Sequence, residues 1–322
     1  MDESKYNRPH PMIKNVVIVH GFADVTGMWR RLVNPLSAAG FDPRLFEYPT
    51  FRNAVDIPGI SETLRVFIDR NFHDEDFQIV GHSQGGLIAE WTDFFLQPPG
   101  LKRIVTVATP FHGNSLPLFV PRSVVEHWPF SRKQLKGLMC WSPVIRSLAQ
   151  ARWNRPTATD YFSFIGFNGR IWKVESDGVV AVCEARRDAA MYDILGSSVR
   201  PLTVSAATNG VILKRNHLPV SWLRSKNALP QMLIEVLHGR TLPQPPMPPI
   251  RQFALIVPSR IEDEWQWPSN ARRLVSRATF DPQYRVVYGE TRESRVRFQW
   301  MDWEFEARPG ETTYVVSEGD LA

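Results

Sequence analysis

The stretch "IVGHSQGG" at residues 79–86 limits the folds open to this chain more than any other. A strand-like apolar run, "FQIVGHS" (77–83), meets a helical pattern, "GGLIAEWTDFFLQ" (85–97), with almost no loop between them. Gly81-His82-Ser83-Gln84-Gly85 fits G-x-S-x-G in the strand-to-helix setting that gives this motif its meaning. The turn is so tight that side chains at Gly81 and Gly85 would strike neighbouring backbone. Ser83 is then pushed outward, into strained backbone angles, at a helix N-terminus. There the backbone N–H of Gln84 can face a developing oxyanion.

The flanking sequence repeats the same alternation. "NVVIVHGF" (15–22) is a β-branched run of the kind buried on both faces of a parallel sheet. "MWRRLVNPLSAAGF" (28–41) has helical spacing and reaches Gly40, a C-cap residue. "DPRLFEYPT" (42–50) and "LKRIVTVATP" (101–110) read as further strands, and "SETLRVFIDRNF" (61–72) as a helix capped by Ser61. Strand–helix alternation over a hundred residues implies βαβ units. The rhythm breaks at 111–159, a segment rich in Trp, Phe and Pro that suits a cap above the sheet's C-terminal edge. "DYFSFIGF" (160–167) and "PLTVSAATN" (201–209) resume the strands; "SWLRS" and "LPQMLIEVLHG" (229–239) read as closing helices. "TLPQPPMPPI" (241–250) holds five prolines and is the linker candidate. Beyond it the period changes to two, with turns about every ten residues. The expected architecture is α/β: a mostly parallel central sheet with a helical cap over 1–240, then a small antiparallel all-β domain over 251–322.

Charge and cysteine usage narrow the function classes. The net charge is +5, but residues 250–322 carry ten Arg, no Lys and twelve Asp or Glu, so the excess of +7 lies before them. That excess suits anionic surfaces such as lipid headgroups, or is a solvated basic face. No run of five like charges points to nucleic acid. Cys140 and Cys183 are too few and too far apart for a zinc pattern; they read as two buried free thiols, or as a pair in an oxidising compartment. No metal cluster stands out, and no glycine-rich phosphate loop accompanies the serine, so no cofactor is expected. "MDESKYNRPHPMIKN" has no apolar leader core, and no stretch reaches the ~18 apolar residues of a membrane span, so the expectation is a soluble cytoplasmic location, or export by a route without a cleavable signal.

A serine needs a base, and the base needs an orienter. "VHGF" (19–22), "GHSQGG" (81–86) and "ATPFHG" (108–113) resemble segments of the α/β-hydrolase superfamily, within it the lipase-like serine acyl hydrolases. The resemblance covers about residues 13–240. It implies a second oxyanion donor at the backbone N–H of Phe22, beside that of Gln84, with His20 and Gly21 forming the supporting loop. It also implies the chain order Ser, acid, His. "SDGVV" (176–180) is similar to the acid-bearing segment, which makes Asp177 the acid, ahead of Asp160, Asp188 and Asp193. Only His217 and His238 lie downstream of it. His217, in a loop before a helical pattern, is the base; His238 sits where it caps a helix C-terminus. His82 reads as a supporting neighbour. Phe111 is inserted relative to the family's Pro-His-x-Gly segment, so His112 takes no role from the resemblance.

The implied activity is hydrolysis of a carboxylic ester through an acyl-enzyme, on a lipid, phospholipid or other ester. Thioesters, lactones or peptides on the same three residues remain open, as does a hydrolase-like scaffold that binds a partner. The cap residues Phe111, Leu116, Leu118, Phe119, Val120, Trp128, Phe130, Leu138, Met139 and Trp141 supply apolar surface, with Arg122, Arg132, Lys133 and Lys136 among them. They fit acyl chains and contact with a membrane surface, or simply pack on the core. The β domain sets Trp300, Asp302, Glu304 and Glu306 against Met301, Trp303 and Phe305. It reads as packed on the catalytic part, or as a surface for protein contact, oligomerisation or substrate recruitment.

Overall fold

The computed structural model describes residues 13–24, 26–51, 54–73, 75–115, 129–155, 157–171, 173–177, 179–187, 189–193, 201–203, 209–213, 215, 217, 223, 229–244, 249–260, 265–300 and 303–316. Much of the cap expectation (Leu116, Leu118, Phe119, Val120, Arg122, Trp128), "SWLRS" except Leu223, the centre of the Pro-rich segment, and Met301 and Asp302 lie outside them.

The first sheet contains β1 (Asn15–Val19), β2 (Asp42–Phe46), β3 (Phe77–His82), β4 (Leu101–Val107), β5 (Asp160–Gly166) and β10 (Asn209–Leu213). Their order is β10-β5-β4-β3-β1-β2, and every pairing is parallel. Side chains alternate along each strand, so each strand feeds two cores. Val17, Val19, Ile79 and Ile104 point into one, with Ile60, Leu64 and Ile68 of the helix Ile57–Phe72. Val16, Ile18, Val80 and Val105 point into the other, with Leu32, Leu36 and Leu229, Leu233 and Val236 of the helix Leu229–Leu237. Burial on both faces is the reason β1 is an unbroken apolar run.

The strand order reverses at β1, which has β2 on one side and β3 on the other. That switch point leaves a crevice at the C-terminal strand ends, where open α/β sheets bind ligands. The helix Gln84–Trp91 starts in this crevice and leans on β1. A Cβ on Gly85 would lie 2.4 Å from the Val19 carbonyl oxygen and 2.6 Å from that of His20. A Cβ on Gly81 would meet the backbone of Gly85 at 2.7 Å.

Two boundaries differ from expectation. The helix expected from Ser61 begins at Ile57, because Asp56 is the N-cap and its carboxylate accepts from Gly59 N at 3.2 Å. Ser61 is interior and donates to the Ile57 carbonyl. Of the strand expected over 201–209, Pro201–Thr203 forms β9 and residues 204–208 are outside the described set. β10 starts only at Asn209.

Two short strands, β6 (Arg170–Ile171) and β7 (Val174–Glu175), make a ribbon after β5. The second large sheet has the order β12-β13-β11-β16-β8-β9. β11 (Gln252–Pro258), β12 (Ala271–Ala278) and β13 (Tyr284–Thr291) pair antiparallel. β16 (Thr312–Val316) runs parallel to both β11 and β8 (Ala189–Asp193). The sheet thus crosses the Pro-rich segment, since β8 and β9 precede it. β14 (Val296–Trp300) and β15 (Trp303–Ala307) form a hairpin that buries Phe298 and Phe305, with Glu304 exposed on the opposite side. A shared core joins the two parts: Trp141, Ala149, Val174 and Cys183 pack with Ile256, Tyr284, Tyr288 and Tyr314. Cys140 and Cys183 are both free and buried.

Gly85→Ala is expected to lower the free energy of unfolding by about 1–3 kcal/mol, because backbone rather than a flexible side chain blocks the added methyl. Urea denaturation followed by circular dichroism measures it.

Candidate active site

Ser83 sits between β3 and the helix Gln84–Trp91 with φ 51° and ψ −120°. This left-handed region costs a non-glycine residue about 1–3 kcal/mol and persists only where the surroundings hold it. They do so here: Ser83 N donates to the Val107 carbonyl at 2.8 Å, and Gly86 N donates to the Ser83 carbonyl at 3.1 Å. Ser83 stands at the switch point and is 7% exposed.

The structure brings Ser83, His217 and Asp177 together from three distant parts of the chain. His217 Nδ1 is 2.9 Å from Asp177 Oδ2, and His217 Nε2 is 2.9 Å from Ser83 Oγ. A carboxylate only accepts, so Nδ1 carries the proton and donates to Asp177. Nε2 then presents its lone pair, and the Ser83 hydroxyl donates to it. Asp177 is almost fully buried. Its other oxygen accepts from Val179 N at 2.9 Å and Val180 N at 2.8 Å. His217 N donates to the Asp177 carbonyl at 3.0 Å, so the acid fixes both the ring and the backbone of its partner.

The "HGF" loop after β1 lies against the serine. A Cβ on Gly21 would fall 3.0 Å from Ser83 Cβ and 2.8 Å from His82 Nδ1, so only glycine allows this approach. The His20 ring lies against Tyr48 and the Gly21 carbonyl. It stacks on Tyr48 with ring centroids 4.1 Å apart, and the Tyr48 hydroxyl donates to the His20 carbonyl at 2.7 Å. Phe22 packs near Phe130 of the cap segment. Gln84 is buried, and its side-chain amide meets Gln134, whose own amide donates to the Pro49 and Val55 carbonyls. The helix Arg132–Gly137 of the cap therefore grips the start of the helix behind Ser83.

His82 Nε2 donates to the His217 carbonyl at 3.0 Å. On its other side the Asp24 carboxylate, held by Trp29 Nε1 at 2.8 Å, stands 3.5 Å from Nδ1. Burial pushes the His82 imidazole below its ordinary value, against the opposing pull of Asp24. Burial also lowers His20. Asp24, Trp29, Tyr48 and Gln134 carry no motif that marks them: each acts through contacts 5 to 85 positions away.

The remaining candidates lie elsewhere. Asp160, the first residue of β5, pairs with Arg103 of the neighbouring β4, and His238 ends its helix against Phe41. Asp188 and the side chain of Asp193 lie outside the described residues. His112 is buried at the junction with the C-terminal strands, its Nδ1 2.7 Å from the Tyr314 hydroxyl. The inserted Phe111 is fully buried, and Arg152 donates to its carbonyl at 2.7 Å.

No family model and no curated protein sequence matches the chain. Solved structures do. Phospholipase PlaB from Legionella pneumophila, in complex with thio-NAD, superposes with a TM-score of 0.65 over 94% of this chain and 93% of that one, at 14% identity. The chain has the α/β-hydrolase fold. The mature form of Bacillus licheniformis lipase BlEst2 matches over 73% of this chain and 95% of its own, with a TM-score of 0.50 and 18% identity. The metagenomic carboxyl esterase MGS0156 matches over 72% and 78%, with a TM-score of 0.50 and 12% identity. The PlaB match extends over the C-terminal strands as well as the α/β-hydrolase part, which its 94% coverage requires.

Two buried histidines with lowered values make stability depend on pH. The unfolded chain takes up their protons near the ordinary value of 6.5, and the folded chain does so only at lower pH. Stability is therefore full above about 6.5 and falls as pH drops toward the folded values, by up to about 1.4 kcal/mol per pH unit for each group. His82→Gln is expected to make the plot of unfolding free energy against pH shallower between 7 and 5. Urea titrations across that range are the measurement.

Proposed function

We propose that the chain is a serine hydrolase of carboxylic esters, working through an acyl-enzyme on Ser83. The observation that carries this reading is the continuous hydrogen-bonded line from Asp177 through His217 to Ser83, both links at 2.9 Å. Ser83 Oγ attacks the ester carbonyl carbon, and its proton passes to His217 Nε2. Asp177 holds the ring's orientation and stabilises the imidazolium. The backbone N–H groups of Phe22 and Gln84 stabilise the oxyanion of the tetrahedral intermediate. His217 returns the proton to the leaving alcohol as the C–O bond breaks. Water then attacks the acyl-enzyme by the same route and frees the acid.

Lipids, phospholipids among them, are the proposed substrate class. The resemblance in fold to a phospholipase and a lipase supports it. So does an aromatic path that runs outward from the oxyanion loop: Phe22 lies 5.8 Å from Phe130, and Phe130 stacks 5.8 Å from Phe51, which is 58% exposed. Such a path suits an acyl chain better than a charged peptide.

Ser83→Ala is expected to lower kcat on p-nitrophenyl esters by about 10⁴-fold or more with the thermal midpoint little changed. A fluorophosphonate probe should label wild type at Ser83 and leave the variant unmarked. An unlabelled wild type, or an alanine variant with full turnover, rejects the reading. Short against long acyl esters, and phospholipid vesicles assayed for released fatty acid, rank the substrates.

A further inference from the structure

The loop that carries Asp177 is fastened at both stems by the C-terminal strands. On the incoming side, β7 is held by Gln252 of β11. Glu175 N donates to Gln252 Oε1 at 2.6 Å, and Gln252 Nε2 donates to the Lys173 carbonyl at 2.8 Å. On the outgoing side is the one-turn helix Val182–Ala185. There Glu184 Oε2 accepts from Ala181 N at 3.0 Å, and Glu184 Oε1 accepts from the hydroxyl of Tyr288 on β13. Ser176 and Ala181 pair as an isolated bridge, which closes the loop around Asp177. Thr312 of β16 donates to the Cys183 carbonyl at 2.9 Å.

A carboxylate oxygen only accepts, so the Tyr288 hydroxyl donates to Glu184 Oε1. The Tyr288 oxygen then accepts from Ser115 Oγ, 2.9 Å away, and Ser115 Oγ accepts from Arg277 Nη1 at 2.8 Å. Arg277, Ser115, Tyr288 and Glu184 are all buried, so each lost link would leave a desolvated polar group without its partner.

The geometry points to Tyr288 and Gln252 as positioning residues for Asp177, so that the C-terminal β strands are part of the catalytic apparatus rather than an appended module. The argument rests on the hydrolase reading above. Neither residue touches the reacting atoms. Each sets the path of the backbone whose amides at Val179 and Val180 hold the Asp177 carboxylate. A displacement of about 1 Å at such a distance from the chemistry costs up to ~10²-fold in rate.

The test uses the full chain carrying Tyr288→Phe, with Gln252→Ala as a second variant on the opposite stem. Active sites are counted by fluorophosphonate titration, so that loss of folded protein is divided out. Per active site, kcat is expected to fall about 10-fold with KM within about twofold. The acidic limb of kcat/KM should also move to lower pH, because a misplaced carboxylate stabilises the imidazolium less. A merely structural role lowers the number of active sites and the thermal midpoint, and leaves that limb where it was. If both variants give wild-type kcat per active site and a superimposable pH profile, the inference is overturned while the hydrolase reading stands. If wild type itself is not labelled at Ser83, the hydrolase reading falls and takes the inference with it. Should one variant fail to fold, the other decides.

Discussion

Everything in the site depends on how closely the helix Gln84–Trp91 approaches β1. Gly85 allows backbone to meet backbone at a distance no side chain permits. That contact sets the tilt of the helix, and the tilt forces Ser83 into its strained turn. The strain is held by the Val107 carbonyl on one side and by the "HGF" loop on the other. Ser83 is thus placed by the sheet itself, at the point where the strand order reverses. A site built on strand ends needs little reorganisation when charge develops there.

The second constraint is burial of polar groups where two sheets meet. Glu184, Arg277, Ser115 and Tyr288 form one hydrogen-bonded chain in the interior; beside it His112 meets Tyr314 and Arg152, and Arg152 and Arg187 both pair with the Glu90 carboxylate. Burial raises the Glu184 carboxyl, and the bonds from Tyr288 and Ala181 oppose that rise. Networks of this kind specify one geometry, because a partner shifted by a fraction of an ångström leaves a desolvated group unsatisfied. They tie the acid loop, the segment after β4 and the C-terminal strands into one arrangement.

Much of the α/β-hydrolase part was legible in the chain. The β-branched runs at 15–19 and 101–107, the glycines around Ser83 and the amphipathic pattern over 61–72 all report local geometry or two-sided burial. Other features were not legible. Asn209–Leu213 is a five-residue strand with a glycine inside it, so neither length nor periodicity marks it. Asp56 rather than Ser61 caps its helix, because Ile57, Ile60 and Leu64 extend the buried face one turn earlier than the pattern suggests. The period-two strands after the Pro-rich segment reveal pairing but not partners. β16 finds β8, more than a hundred residues back, through a parallel register that no local turn dictates.

The sequence by itself determined the elbow, because G-x-S-x-G between a buried strand and a helix answers a purely local steric demand. Its resemblance to the α/β-hydrolases named Asp177 and His217 as candidates, though not in contact. Only the tertiary structure decided that these three groups meet at 2.9 Å, that His82 and Asp24 stand behind them, and that Tyr288 and Gln252 reach the acid loop from the far end of the chain. The physical reason is that short-range sterics are written in adjacent residues. The pairing of buried polar groups depends on which surfaces are pressed together, and that is a property of the whole packed core.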